Sequence, residues 1–186
     1  MMIYIKHMVS HRCKMAVVQE LRKLGLRYNT VDLGIVDLQD DLTKEQRNAL
    51  KQALFSTELE LIEDKKDIVV EQIRNAVVEV IHDLENKIEV PFSTFLSNKL
   101  KLNYTYLSNL FKKSEGITIA QFIIKNKIER VKELIQYNEL SFSEIAFELH
   151  YSSIAHLSNQ FKKITGYTLT FYKTHGLKRE INIENL

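Results

Sequence analysis

A segment of sixteen residues occurs twice in this chain, fifty positions apart and without a gap. Residues 107–122 read LSNLFKKSEGITIAQF and residues 157–172 read LSNQFKKITGYTLTFY, and eight of the sixteen positions are identical. A repeat inside one chain predicts that one supersecondary unit is built twice. The fold must therefore hold two copies of the same unit.

Each copy follows a short segment with helical spacing, at residues 92–100 and 142–149. Pro91 and Ser93 indicate a helix start before the first copy, and Ser141 with Glu144 forms a capping-box pattern before the second. A few residues with turn character separate each segment from its repeat, so the pattern predicts helix, turn and helix twice. A further helix over residues 119–136 joins the two motifs, and residues 88–176 are predicted to form an all-α domain.

The second helix of each motif has two faces. Leucine and phenylalanine have core spacing on one face, while short hydrogen-bonding side chains and lysine occupy the other. Such a face suits base edges and phosphates together, which predicts DNA binding through two successive turns of the major groove. The candidate DNA-binding residues are Thr105, Ser108, Asn109, Lys112, Ser153, Ile154, His156, Ser158, Asn159 and Lys162.

The charge distribution agrees with an anionic partner for the second half of the chain. Residues 1–87 hold 13 Lys and Arg against 15 Asp and Glu, whereas residues 88–186 hold 13 against 9. The net charge of +2 therefore hides an acidic first half and a basic second half. A basic excess of this size permits a polyanion partner without requiring one.

These motifs resemble the DNA-binding domain of AraC/XylS-type transcription regulators. The resemblance covers residues 90–175 and rests on YLSNLFKK from Tyr106 with Gly116, on KIERVKEL from Lys127, and on LSFSEIA from Leu140. The signature continues with YSS from Tyr151, LSNQFKK from Leu157, Thr165-Gly166 and Tyr172. It implies recognition helices near residues 103–113 and 152–163, sequence-specific binding of double-stranded DNA and, by family analogy, contact with RNA polymerase.

The chain departs from the family pattern at three places. Asn109 and Asn159 stand where the family usually has arginine, and asparagine prefers adenine, so we predict a target richer in A·T. His150 replaces a turn glycine, at a position where a positive φ is often needed. Leu169 stands where proline is common, which we expect to be a small structural difference.

Residues 1–64 alternate between strand and helix patterns in the order strand, helix, two strands or one bent strand meeting at Gly34, helix, strand. The first strand is predicted over residues 3–9, and Thr43 with Gln46 predicts the start of the second helix. This order predicts a small ferredoxin-like α/β sandwich, so the fold class is α+β. Residues 65–87 are predicted to be a connecting helix and residues 177–186 a C-terminal tail.

The loop after the first strand, MVSHRC from Met8, resembles that of heavy-metal-associated domains, with Ser10 in place of their first cysteine. Cys13 and His11 are candidate ligands for Cu(I) or Zn(II), although a soft ion prefers two thiolates, which two chains pairing their Cys13 residues would supply. The alternatives are a degenerate loop on a domain kept for packing, dimerisation or another effector, and a redox-sensing thiol at a helix N-terminus. A metal-binding or metal-sensing protein is therefore the second function class.

Other features narrow the remaining possibilities. The sequence has no phosphate-binding glycine loop and no nucleophile elbow, and none of the predicted helices carries His-x-x-x-His, which argues against an enzyme. One cysteine and no long apolar run favour a cytoplasmic protein.

The apolar stripe of residues 67–85 needs a cover, either from the chain's own domains or from a second copy in a homodimer.

Overall fold

The computed structural model describes residues 1–8, 10–82 and 90–175. The first part contains four strands and two helices: β1 Met2–Lys6, α1 His11–Lys23, β2 Tyr28–Asp32, β3 Ile35–Leu38, α2 Lys44–Phe55 and β4 Glu60–Ile62. We refer to residues 1–64 as the N-terminal unit. The remaining helices are α3 Lys65–His82, α4 Phe92–Leu100, α5 Tyr104–Glu115, α6 Ile119–Tyr137, α7 Phe142–Glu148, α8 Ile154–Thr165 and α9 Leu169–His175.

The four strands form one sheet in the order β2-β3-β1-β4, and every neighbouring pair is antiparallel. Alternate residues of the strands, Ile3 and Ile5 of β1 among them, point into a core that α1 and α2 cover with Val17, Leu21 and Leu50. Of the two alternatives at Gly34, the structure has two strands, since β2 and β3 form a hairpin there. The Thr43–Gln46 capping box that starts α2 is also present.

The first strand is shorter than its sequence pattern predicts. β1 ends at Lys6 because His7 adopts φ +66°, which leaves the extended region. Met8 is fully buried in the core of the N-terminal unit although it lies beyond the strand. Val9, the last residue of the predicted strand, lies outside the described residues.

Helix α3 belongs to the packing of the helical part of the chain. Its residues Val70, Ile73, Ala76, Val77 and Ile81 are buried in the same apolar core as residues of α4 to α9. The chain's own helices therefore cover the stripe, which is the first of the two alternatives that its pattern left open. The predicted connecting helix extended to residue 87, and residues 83–87 lie outside the described residues, as do Gly176 and the predicted tail 177–186.

The two helix-turn-helix motifs are α4–α5 and α7–α8, joined by α6. Each helix bound lies within two residues of the sequence prediction, including the Ser141–Glu144 capping box of α7. Helix α9 is an addition that periodicity did not predict. It buries Leu169 and Tyr172, and the Tyr172 ring packs edge-on against Phe161 with the centroids 5.5 Å apart.

Candidate nucleic-acid interface

Helices α5 and α8 have equal lengths and equivalent ends. Each has twelve residues and begins after a side-chain cap: Asn103 Oδ1 accepts from the Thr105 amide at 2.8 Å, and Ser153 Oγ from the His156 amide at 3.1 Å. Each ends at a glycine, Gly116 or Gly166. The repeat in the sequence is therefore a repeat in local structure. We call α5 and α8 the first and second recognition helices, because each is the second helix of its helix-turn-helix motif.

Burial separates the two faces of these helices as their sequence spacing predicts. Leu107 and Phe111 of α5 are fully buried, as are Leu157 and Phe161 of α8. Most of the candidate DNA-binding residues are exposed, namely Thr105, Asn109, Lys112, Ser153, Ile154, His156, Asn159 and Lys162. Ser108 and Ser158 are only half-buried, so they lie at the edge of the exposed face and not at its centre.

The structure adds residues that the sequence analysis did not select. Tyr106 is 47 % exposed and stands fifty positions before His156, so both motifs place an aromatic ring in the first turn of the recognition helix. Lys113 and Lys163 are exposed beside Lys112 and Lys162. The repeat offset, applied position by position, would have identified Tyr106 from the sequence.

The exposed faces carry cationic groups without exposed carboxylates. The last turns of α5 and α8 each hold two lysines, and α8 contains no Asp or Glu. The one acid of α5, Glu115, is half-buried and ion-paired with Arg74 of α3. Both faces are therefore suited to an anionic partner.

The ring of His156 is held in place at the start of α8. Its Nδ1 lies 3.0 Å from Ser152 Oγ, and its ring meets Tyr151 edge-on with the centroids 5.2 Å apart. Because Nδ1 is engaged with Ser152, Nε2 is the ring nitrogen left for an external partner.

A network around Tyr151 fixes the turn before α8. Tyr151 Oη donates to Gln160 Oε1 at 2.6 Å, and Lys127 Nζ of α6 donates to the Leu149 carbonyl at 2.7 Å and lies 5.2 Å from the Tyr151 ring centroid. Burial raises the pKa of Tyr151 to about 12 and lowers the pKa of Lys127. This turn contains His150 at φ +55°, which confirms that the position of the family's glycine needs a positive φ.

The candidate metal ligands are not brought together. His11 is exposed, whereas Cys13 is half-buried, with its Sγ 3.2 Å from Ser10 Oγ and 3.8 Å from the His7 carbonyl oxygen. Residues two apart on a helix face different directions, which explains the separation. Over residues 1–8, 10–82 and 90–175, no three His, Cys, Asp or Glu side chains are grouped to hold a metal ion. Binding of Cu(I) or Zn(II) stays a prediction.

A helix that crosses a membrane needs about 20 mostly apolar residues. None of the helices within residues 1–8, 10–82 and 90–175 is long and apolar enough to cross a membrane.

Comparisons with known proteins agree with this geometry. Residues 96–175 match the family model of a helix-turn-helix domain. The F1 operon positive regulatory protein of Yersinia pestis is 35 % identical over 89 residues, which are 44 % of this chain and 30 % of that protein. The probable transcriptional regulator LumQ of Photobacterium leiognathi is 26 % identical over 136 residues, which are 72 % of this chain and 52 % of that protein. The chain thus spans about half or less of the length of these curated relatives.

Among solved structures, the C-terminal domain of AraT, a response regulator from Geobacillus stearothermophilus, superposes with a TM-score of 0.52 at 22 % identity. The match covers 64 % of this chain and 94 % of that domain, and at this identity it supports the fold alone. The names of these relatives describe an operon regulatory protein and a probable transcriptional regulator. Residues 96–175 are therefore described as a helix-turn-helix domain.

Proposed function

We propose that the protein is a sequence-specific DNA-binding transcription regulator that inserts α5 and α8 into successive turns of the major groove. The duplicated recognition helix carries this proposal: α5 and α8 share length, capping, buried residues and a lysine-rich last turn. A single polar helix face is common on protein surfaces. Two copies in the same frame indicate a repeated ligand, and duplex DNA repeats itself each helical turn.

The exposed side chains suit both kinds of DNA contact. Lys112 and Lys162 are exposed near the helix ends, where a long cationic side chain reaches phosphate oxygens. Asn109 and Asn159 are exposed one turn earlier and can make paired hydrogen bonds with adenine. Ile154 is 44 % exposed and offers an apolar contact to a thymine methyl. The proposed target is therefore rich in A·T.

The N-terminal unit is proposed to be ferredoxin-like. Two βαβ units interleave in the sheet order β2-β3-β1-β4, which is the arrangement of a split βαβ sandwich and supports the assignment. Its proposed role is regulatory, because the repeated lysine-bearing helix faces belong to α5 and α8. Homodimerisation stays a prediction from the sequence, and contact with RNA polymerase stays a prediction from the family analogy.

The test is selection of random duplex DNA by the purified protein, with and without Cu(I) or Zn(II) and reductant. We expect an enriched A·T-rich motif with two boxes about one helical turn apart. Absence of enrichment under every condition would contradict the proposal. Metal dependence that is lost in Cys13→Ser would instead assign metal sensing to the N-terminal unit.

A further inference from the structure

Helix α3 presents polar side chains to the N-terminal unit on one part of its surface. Glu71 Oε1 accepts from the His7 amide at 3.0 Å, and Asn75 Nδ2 donates to the Leu33 carbonyl at 3.2 Å. Glu71 is 3 % exposed, so its bond to the loop after β1 is shielded from water. These bonds join α3 to both the loop after β1 and the β2–β3 hairpin.

The tip of the β2–β3 hairpin lies against Asn75 of α3, so a side chain at Gly34 would displace the Asn75 amide. A Cβ on Gly34 would lie 1.9 Å from Asn75 Nδ2, and the φ of +71° is also one that glycine accepts readily. The N-terminal unit is thus docked on α3 at two points. A shift of this unit would be transmitted to the helix.

One helical turn from Glu71, α3 contacts the first recognition helix. The Arg74 guanidinium donates a hydrogen bond to Glu115 Oε2 in the last turn of α5, and it lies 5.3 Å from the ring centroid of Phe122 on α6. The Arg74 and Glu115 side chains are only 13 % and 16 % exposed. A pair this buried is costly to break, because removing one partner leaves an uncompensated charge.

The second recognition helix has no such connection. Within the described residues, no hydrogen bond or ion pair joins α8 to α3 or to the N-terminal unit. The side chains of α8 bond instead within the second motif, as Gln160 does with Tyr151. The two recognition helices are therefore held by different parts of the molecule.

We propose that Arg74 is a positioning residue through which the N-terminal unit holds the first recognition helix. This unit would then control binding to the first box, which is the half of the DNA site that α5 contacts, and not to the second box, which α8 contacts. The inference rests on the proposed DNA-binding function. Glu115 lies one turn beyond Lys112 on α5, so the pair fixes the end of the helix that carries the phosphate contact. Base contacts depend on such positioning, since functional side chains must be held within about 0.5 Å of their working geometry.

The test begins with the selected two-box DNA. Asn109→Ala and Asn159→Ala first assign each box to a recognition helix. Selection and binding are then repeated with Arg74→Gln and Glu115→Gln, which change the net charge in opposite directions. We expect both variants to lose about tenfold in base discrimination at the first box, in the range of one lost base contact, and to keep the second box within about twofold.

Two further variants serve as controls. Glu79→Gln breaks the more exposed pair between Glu79 and Lys99, also between α3 and a neighbouring helix, and should leave both boxes unchanged. The reversed pair, Arg74→Glu with Glu115→Arg, should restore part of the first-box discrimination, although it lacks the guanidinium beside Phe122.

The positioning role would be overturned by a variant that has an unchanged thermal midpoint and loses base discrimination equally at both boxes or at neither. If a single variant lowers the thermal midpoint, the reversed pair is the decisive variant. A reversed pair that restores the thermal midpoint but not the base discrimination at the first box would also overturn the positioning role. Failure of the wild-type protein to enrich any motif is a separate result, which contradicts the DNA-binding function before any variant is made.

Discussion

His150 is an exposed residue whose backbone lies in the left-handed region, at φ +55°. A residue with a Cβ is strained in this conformation by about 1–2 kcal/mol. Glycine avoids the strain but has more freedom to lose on folding, which reduces its advantage by roughly 0.5–1 kcal/mol. The turn is held by Lys127 and Tyr151 on either side, so the surrounding contacts keep the strained geometry.

Replacing His150 with glycine should therefore stabilise the protein. We expect His150→Gly to raise the free energy of unfolding by about 0.5–1 kcal/mol in denaturant titrations. His150→Ala keeps the Cβ and is the control, which should show no such gain. An equal gain from alanine would indicate that the imidazole, and not the backbone, is the source of the strain.

The exposed residues of α8 make separate predictions about DNA. Asn159→Ala should cost about 1–3 kcal/mol at one base position, because it removes a paired hydrogen bond. Lys162→Ala should weaken binding to every duplex and reduce the salt slope by about one, as loss of a phosphate contact does. The control is Lys51→Ala, which removes the same charge from an exposed site in the N-terminal unit. Equal losses on all sequences would contradict base recognition by Asn159.

Helix α6, the turn after α7 and helix α8 are coupled through the half-buried Tyr151 side chain. Its pKa is raised to about 12 by burial, against about 10 in an unfolded chain. The unfolded state therefore loses its proton first as the pH rises. The stabilisation is complete below pH 10 and is lost as the pH rises towards 12.

The wild-type protein should lose about 1.4 kcal/mol of stability between pH 9 and pH 11 through Tyr151 alone. Tyr151→Phe lacks the titrating group, so its free energy of unfolding should fall by about 1.4 kcal/mol less than that of the wild type between pH 9 and pH 11. Denaturant titration at each pH measures this difference. Tyr137→Phe, at a 65 % exposed tyrosine, is the matched control and should follow the wild-type profile. Parallel profiles for the wild type and Tyr151→Phe would contradict a raised pKa at this residue.

At the scale of the molecule, α3 joins two units that have separate apolar cores. It contributes five residues to the core of the helical part and polar bonds to the N-terminal unit. Residues 96–175, which match the helix-turn-helix model, therefore do not contain their whole core. Stability of the recognition helices depends on a helix that lies before that domain.

Ile73, which is fully buried on α3, tests this dependence. Ile73→Ala should cost about 2–5 kcal/mol, the usual range for a buried isoleucine, and should speed amide hydrogen exchange in α5 and α6. Met15→Ala, at an exposed methionine of α1, is the control and should leave that exchange unchanged. Unchanged exchange in α5 and α6 of the Ile73 variant would show that the two parts fold independently.

The sequence by itself determined the features that depend on neighbours within a few residues. The capping boxes at Thr43 and Ser141, the buried spacing of Leu107 and Phe111, and the positive φ at His150 arise from local geometry, and the repeat gave each of the second-motif positions a counterpart. Most of the candidate face of α5 and α8 was predictable for the same reason.

Only the tertiary structure decided which surfaces meet. The stripe of α3 is equally apolar whether it packs on its own chain or on a second copy, and its polar residues Glu71, Arg74 and Asn75 show no pattern that names Glu115 or Leu33 as partners. Helix α9 was missed because it is as short as α7 but lacks the capping-box pattern that marks α7, since Phe171 and not Glu or Gln follows three residues after Thr168. It is stabilised by packing Tyr172 on Phe161. Contacts between residues far apart in the chain depend on how whole elements fit together, and that information is not contained in local spacing.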